Sequence, residues 1–204
     1  MEISVNGEMN HGEVELVEVG GFEKAVEKIR NLEPGVVLFD SDGTCRSHWK
    51  ALKSGKLGLV PEGYLKLIDE LKDKGWKIAM VTNQPYPGHQ VAGVLSRKGQ
   101  RYEAFPYCYE KRDIKIFGGD WRFLTKQYKK GGLAIRQVVD WMENEAGYVP
   151  GENVVFVGDR QGDVDFSKRL DADLDSLKRV KMYKVPGFEE SKYKVVRGAV
   201  RLAP

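Results

Sequence analysis

The chain is poor in the residues that staple small folds together. Only two cysteines, Cys45 and Cys108, occur among 204 residues. Neither belongs to a CxxC pair or a Cys/His cluster, which argues against a structural zinc site, and two reduced thiols are expected. The first residues, Met1 to Gly7, carry neither a basic leader nor a sustained apolar stretch. No signal peptide and no membrane span are therefore expected, and the cytoplasm is the expected location. An excess of one charge is also missing: 33 Lys and Arg against 30 Asp and Glu leave a net charge of +3. The chain as a whole is no polyanion binder, so any basic character that matters has to be local. Internal repeats and low-complexity tracts are absent as well.

What is present describes an ordinary globular protein. Apolar residues make up 41% and charged residues 31% of the sequence, and a chain of this length buries roughly 70% of its unfolded surface in what length alone makes one domain. Residues 1 to 35 read as an N-terminal extension packed on the core. It holds a strand at Glu13 to Val19, a Gly20-Gly21 break, and a helix from Phe22 to Leu32 that stops at Pro34-Gly35. Residues 36 to 204 then alternate. A strand at Val36 to Phe39 precedes a helix at Pro61 to Lys74, a strand at Lys77 to Val81, and a helix at His89 to Lys98. After a poorly patterned middle come a helix at Leu133 to Glu145, a strand at Asn153 to Val157, a helix at Val164 to Leu170 and a strand at Val180 to Val185. Strands separated by helices predict an α/β fold, a three-layer Rossmann-like parallel sheet with helices on both faces. In such sheets ligands bind beyond the carboxyl ends of the strands.

The candidate chemistry falls at those ends. The apolar run Val36-Val37-Leu38-Phe39 delivers Asp40 and Asp42 into a Gly43-Thr44 turn. Residues two apart on a strand point the same way, so both carboxylates would face one site if the extended conformation persists through Ser41. Two such carboxylates need a cation between them. Asp40 suits a nucleophile that accepts a phosphoryl group, and Asp42 a general acid and base. Thr82 and Asn83 follow the next strand and, with Gly43 and Thr44, would offer hydroxyl and N–H groups to phosphate oxygens. Asp159, after Val157-Gly158, is a third oxygen ligand for Mg2+, and Asp163, in the first turn of the next helix, would support the metal or simply favour the helix dipole. Lys129 and Lys130 are the best-placed cations to neutralise the transferred charge.

This ordered set, Asp40-Ser41-Asp42-Gly43-Thr44, then Thr82-Asn83, then Lys129-Lys130, then Gly158-Asp159 with Asp163, resembles the haloacid dehalogenase superfamily of phosphatases over roughly residues 36 to 190. The resemblance implies that Asp40 is nucleophile and metal ligand and that Asp42 is acid/base and lends its backbone carbonyl to the metal. It further implies that Thr82 binds phosphate, that a lysine neutralises charge, and that Asp159 holds Mg2+. The triplet Thr82-Asn83-Gln84 is similar to that of the subgroup containing histidinol phosphatase, heptose bisphosphate phosphatase and polynucleotide 3'-phosphatase. The zinc-binding loop of several sugar-phosphate members has no counterpart. The lysine motif lacks its usual following proline, which leaves Lys129, Lys130 and Lys126 as alternatives.

The stretch from Cys45 to Val60 is short, and that between Asn83 and Lys129 has no room for a sheet-containing cap beside its core elements. A site with no cap or a minimal one is expected, open to a phosphorylated small molecule or to a nucleic acid 3'-phosphate. Basic residues from Arg97 to Lys130, interleaved with aromatics from Tyr102 to Tyr128, suit single-stranded nucleic acid. Core aromatics with a solvated charged face would give the same pattern. The expected activity is Mg2+-dependent phosphomonoester hydrolysis through an aspartyl phosphate. The alternative is a non-catalytic module that binds phosphate or nucleic acid.

Overall fold

The computed structural model describes residues 14–46, 59–82, 94–97, 100–105, 107–118, 132–174 and 179–188. Asp40 ends a strand with no solvent-facing side: β2, Gly35–Asp40, is buried at every position. Its side chains divide strictly. Val37 and Phe39 enter one apolar cluster, Val36 and Leu38 another on the opposite face, which is the period-two alternation of a strand covered twice.

The same division runs through β4, Lys77–Thr82, and β8, Asn153–Gly158. These three strands form the centre of a six-stranded sheet that also holds β1 (Glu15–Glu18), β7 (Lys115–Gly118) and β9 (Lys181–Lys184), in the order β1-β9-β8-β2-β4-β7. Each pairing is parallel. On the face of Val37 and Phe39 lie helices α1, Phe22–Ile29, and α2, Glu62–Asp73. Helix α1 buries Phe22, Ala25, Val26 and Ile29, the i, i+3, i+4, i+7 spacing of one helical stripe. Phe22 stacks on Tyr64 of α2 at 4.4 Å between ring centroids. The opposite face is covered by α4, Gly132–Asn144, through Ala134, Ile135 and Val138, and by α5, Gln161–Asp173, through Val164, Phe166 and Leu170. The expected three-layer α/β fold is therefore present, and the N-terminal segment contributes an edge strand to the sheet itself. Among the described residues no helix is long and apolar enough to cross a membrane.

The middle of the chain departs from expectation. Val94–Arg97, expected within a helix, is strand β5. It pairs antiparallel with β6, Gln100–Ala104, which pairs in turn with β3, Leu59–Pro61. Gly93 and Gly99 both lower the helix propensity of this stretch of sequence. Strands thus occur where no room was expected. The reason is that the element before β7 is the single turn α3, Tyr107–Glu110, which leaves residues over for a hairpin. The small sheet is anchored by buried Glu103 of β6, which takes Lys111 Nζ at 2.6 Å and Arg112 Nη1 at 3.0 Å, while Arg112 Nε reaches Asp69 of α2 at 2.8 Å. Burial alone would raise the Glu103 carboxyl, but these two cations hold it below the usual carboxylate range.

Candidate active site

Parallel register sets the site. Phe39 is level with Met80 of β4 and Val157 of β8, so Asp40, Thr82 and Gly158 all end at one edge of the sheet. There the chain leaves β2 and closes a tight turn. Gly43 N–H donates to Arg46 O at 2.9 Å, and the N–H groups of Cys45 and Arg46 donate to Ser41 O at 3.1 Å each. Gly43 sits at φ +92°, a conformation in which an L side chain is strained. A Cβ on Gly43 would stand 2.4 Å from Asp159 Oδ2, so the turn lies flush against that carboxylate.

The shared direction expected of the two aspartates required the extended strand to run through Ser41. The strand ends at Asp40, and the alternation that would have aligned Asp42 ends with it. Asp40 joins Asp159 and Asp163 in a group in which one carboxylate oxygen from each lies within 4.8 Å of the others. Thr44 Oγ1 donates to Asp40 Oδ2 at 3.1 Å and approaches Asp159 Oδ1 at 3.5 Å. The Asp42 carboxylate stands outside that group. Its Oδ2 accepts from Thr82 Oγ1 at 3.0 Å, and its Oδ1 is 2.7 Å from Arg46 Nη2.

Asp163 turns out to serve the fold as well as the cluster. Its Oδ2 accepts the backbone N–H groups of Asp159 and Arg160, each at 3.1 Å, across the start of α5, which is the work of an acid in a helix's first turn. Glycine is required alongside, since a Cβ on Gly158 would come within 2.5 Å of Asp163 Oδ2.

The residues present fit a hard divalent cation. Three carboxylates converge, and a carboxylate has two oxygens, so Asp163 can bond the backbone and still face a metal. Arg46 pairs with Asp42 and Arg160 with Asp159, and a set of three converging carboxylates is the kind of oxygen donor set that suits Mg2+. Asn83, Lys126, Lys129 and Lys130 lie outside the described residues, as do Gln84, His48 and His89.

Sequence reasoning missed Arg46. It is buried with 4% of its side chain exposed, and its guanidinium lies 3.8 Å over the ring of Phe105. Its place four residues after Asp42, in a turn tight enough to bring them together, is the signal that would have found it.

Of the basic and aromatic stretch only part lies in the described residues, where Tyr107 is half-buried with Lys111 Nζ 5.6 Å from its ring centroid. Phe105, Tyr109 and Phe117 are core residues, Lys111 and Arg112 pair with Glu103, and Lys115 pairs with Glu145. Cys45, next to the turn, is buried, and burial pushes its thiol well above the ordinary range. That makes it a packed thiol and a poor nucleophile.

No protein-family model, no curated protein and no solved structure matches this chain. The functional reading rests on the geometry of the site and on the chemistry of its residues.

Proposed function

We propose that the protein is a Mg2+-dependent phosphomonoester hydrolase of the haloacid dehalogenase type, acting in the cytoplasm through an aspartyl phosphate. One observation carries the reading: Asp40, Asp159 and Asp163 converge within 4.8 Å at the carboxyl edge of a parallel sheet, beside an Asp42 held by Thr82. Strand ends in this arrangement are where α/β sheets bind ligands.

Asp40 is the nucleophile. A carboxylate oxygen attacks phosphorus, the new O–P bond forms, and the ester P–O bond breaks. Asp42 gives its proton to the departing oxygen as that bond breaks. Water then attacks the phosphorus and loses a proton to Asp42, which releases inorganic phosphate and restores Asp40. Thr44 orients Asp40 and Asp159, and Thr82 orients Asp42. Asp40, Asp159 and Asp163 would hold Mg2+, which when bound neutralises the charge of the transferred phosphoryl group. Lys129 or Lys130 would add the remaining positive charge. The substrate is a phosphorylated small molecule or a nucleic acid 3'-phosphate.

The test is phosphate release from p-nitrophenyl phosphate in Mg2+ by the wild type and Asp40→Asn. The substitution is expected to lower turnover on the order of a thousandfold or more, and unchanged turnover would overturn the reading. Parallel assays with a 3'-phosphorylated oligonucleotide separate the substrate classes. Salt-sensitive oligonucleotide binding without hydrolysis would indicate a binding module that kept the fold.

A further inference from the structure

We propose that Arg46 is a positioning residue for Asp42, setting the direction in which this carboxylate meets the leaving-group oxygen. The proposal rests on the phosphohydrolase reading and adds a residue to it. Asp42 follows the strand rather than belonging to it, so the sheet does not orient its side chain. Two neighbours do. Thr82 Oγ1, fixed by the last residue of β4, donates to Oδ2 at 3.0 Å, and Arg46 Nη2 stands 2.7 Å from Oδ1.

The Arg46 contact is a charge contact rather than an aligned hydrogen bond. Asp42 Oδ1 and Arg46 Nε are both buried without an aligned hydrogen-bond partner among the described residues. At 2.7 Å the opposite charges fix where Oδ1 stands.

The guanidinium is itself held in place. It lies 3.8 Å over the Phe105 ring, and Phe105 packs edge-on against Tyr109 with centroids 5.8 Å apart. A cation over an aromatic face is attracted to it, more so when desolvated. Phe105 directly follows strand β6. The small antiparallel sheet thus has a use that a covering lid would not explain: it brings a ring beneath the cation that aims the acid.

A group that positions a general acid matters most where the leaving oxygen needs a proton. Nitrophenolate departs without one, whereas an alkoxide does not. The experiment compares kcat/KM for p-nitrophenyl phosphate and glycerol phosphate, in Mg2+, for the wild type, Arg46→Met, Arg46→Lys and Phe105→Leu. Arg46→Met is expected to lose about tenfold or more on the alkyl ester beyond its loss on the aryl ester. Arg46→Lys keeps the charge but not the planar face and should fall between. Phe105→Leu should shift the ratio the same way by less. An equal loss on both esters, or none, overturns the proposal and leaves the phosphatase reading standing. A wild type inactive on both overturns both.

A second readout needs no turnover. In chelator, thermal melts of Arg46→Met, Asp42→Asn and the double variant should be non-additive, since removing one partner strands the other. Additive losses would show that the pair does not couple and would overturn the proposal. If Arg46→Met fails to fold, Arg46→Lys and Phe105→Leu carry the ester comparison.

Discussion

Replacing Gly43 by alanine tests the geometry on which the site depends. Two costs follow from the structure. The residue sits at φ +92°, where a side chain costs about 1–2 kcal/mol. Its Cβ would also stand 2.4 Å from Asp159 Oδ2 and 2.8 Å from Asp159 Cγ, so the carboxylate has to move. Thr44 Oγ1 and Arg160 Nε lie within 3.5 and 3.6 Å of that carboxylate, and an off-rotamer side chain costs about 1 kcal/mol more. A loss of about 2–3 kcal/mol in a chain of this size lowers Tm by roughly 4–12 °C. The assay is a thermal melt in chelator and in Mg2+, with Gly20→Ala as control because a Cβ there meets nothing within 4 Å. In the wild type, Mg2+ at a hundred times its Kd adds about 2.7 kcal/mol. Gly43→Ala should lose most of that increment because Asp159 has been displaced. A Gly43→Ala protein that melts like the wild type in chelator and keeps the full increment would refute the argument.

Two further outcomes follow from buried titratable groups. Lys111 and Arg112 hold the Glu103 carboxyl below its ordinary value of 4.5. A lowered folded-state value contributes stability that is present above pH about 4.5 and lost as the pH falls through the folded value. Glu103→Gln should therefore be less stable than the wild type at neutral pH, by about 1–2 kcal/mol for lost charged hydrogen bonds whose cations are part-exposed or keep another partner, and the gap should narrow below pH about 4.5 in denaturant titrations. An unchanged gap at pH 3 would contradict the pairing. Cys108 is pushed up to about 12 by burial, and Cys45 is raised as well by burial and by Asp40. At pH 8 the Cys108 thiolate is then about one part in ten thousand, so a thiol reagent should label neither cysteine in the native protein and both after unfolding. Prompt native labelling would show that the region beside the turn is open.

The elements that the sequence made legible share one property: they are buried on both faces or amphipathic over several turns. β2 and β8 read as continuous apolar runs because helices cover both sides of them. Asp40, Thr82 and Asp159 were legible because each ends or follows such a strand, and a parallel sheet brings those ends to one edge, while Asp163 was legible as an acid in the first turn of the next helix. β3, β5 and β6 were not legible. They are short, and β6 pairs on one side with β5 and on the other with β3, far earlier in the chain. Their conformation is decided by those partners rather than by their own periodicity.

The sequence by itself determined the class of fold and the four acidic positions, since both follow from local pattern: apolar strands, amphipathic helices, and carboxylates where strands stop. Only the tertiary structure decided which of those acids meet. The turn at Gly43 places Asp40 with Asp159 and Asp163 and leaves Asp42 to Thr82 and Arg46. Whether Arg46 faces water or the interior depends on a ring that the small sheet brings beneath it. A buried guanidinium needs an opposite charge and a surface to lie on, and local sequence holds the first without the second.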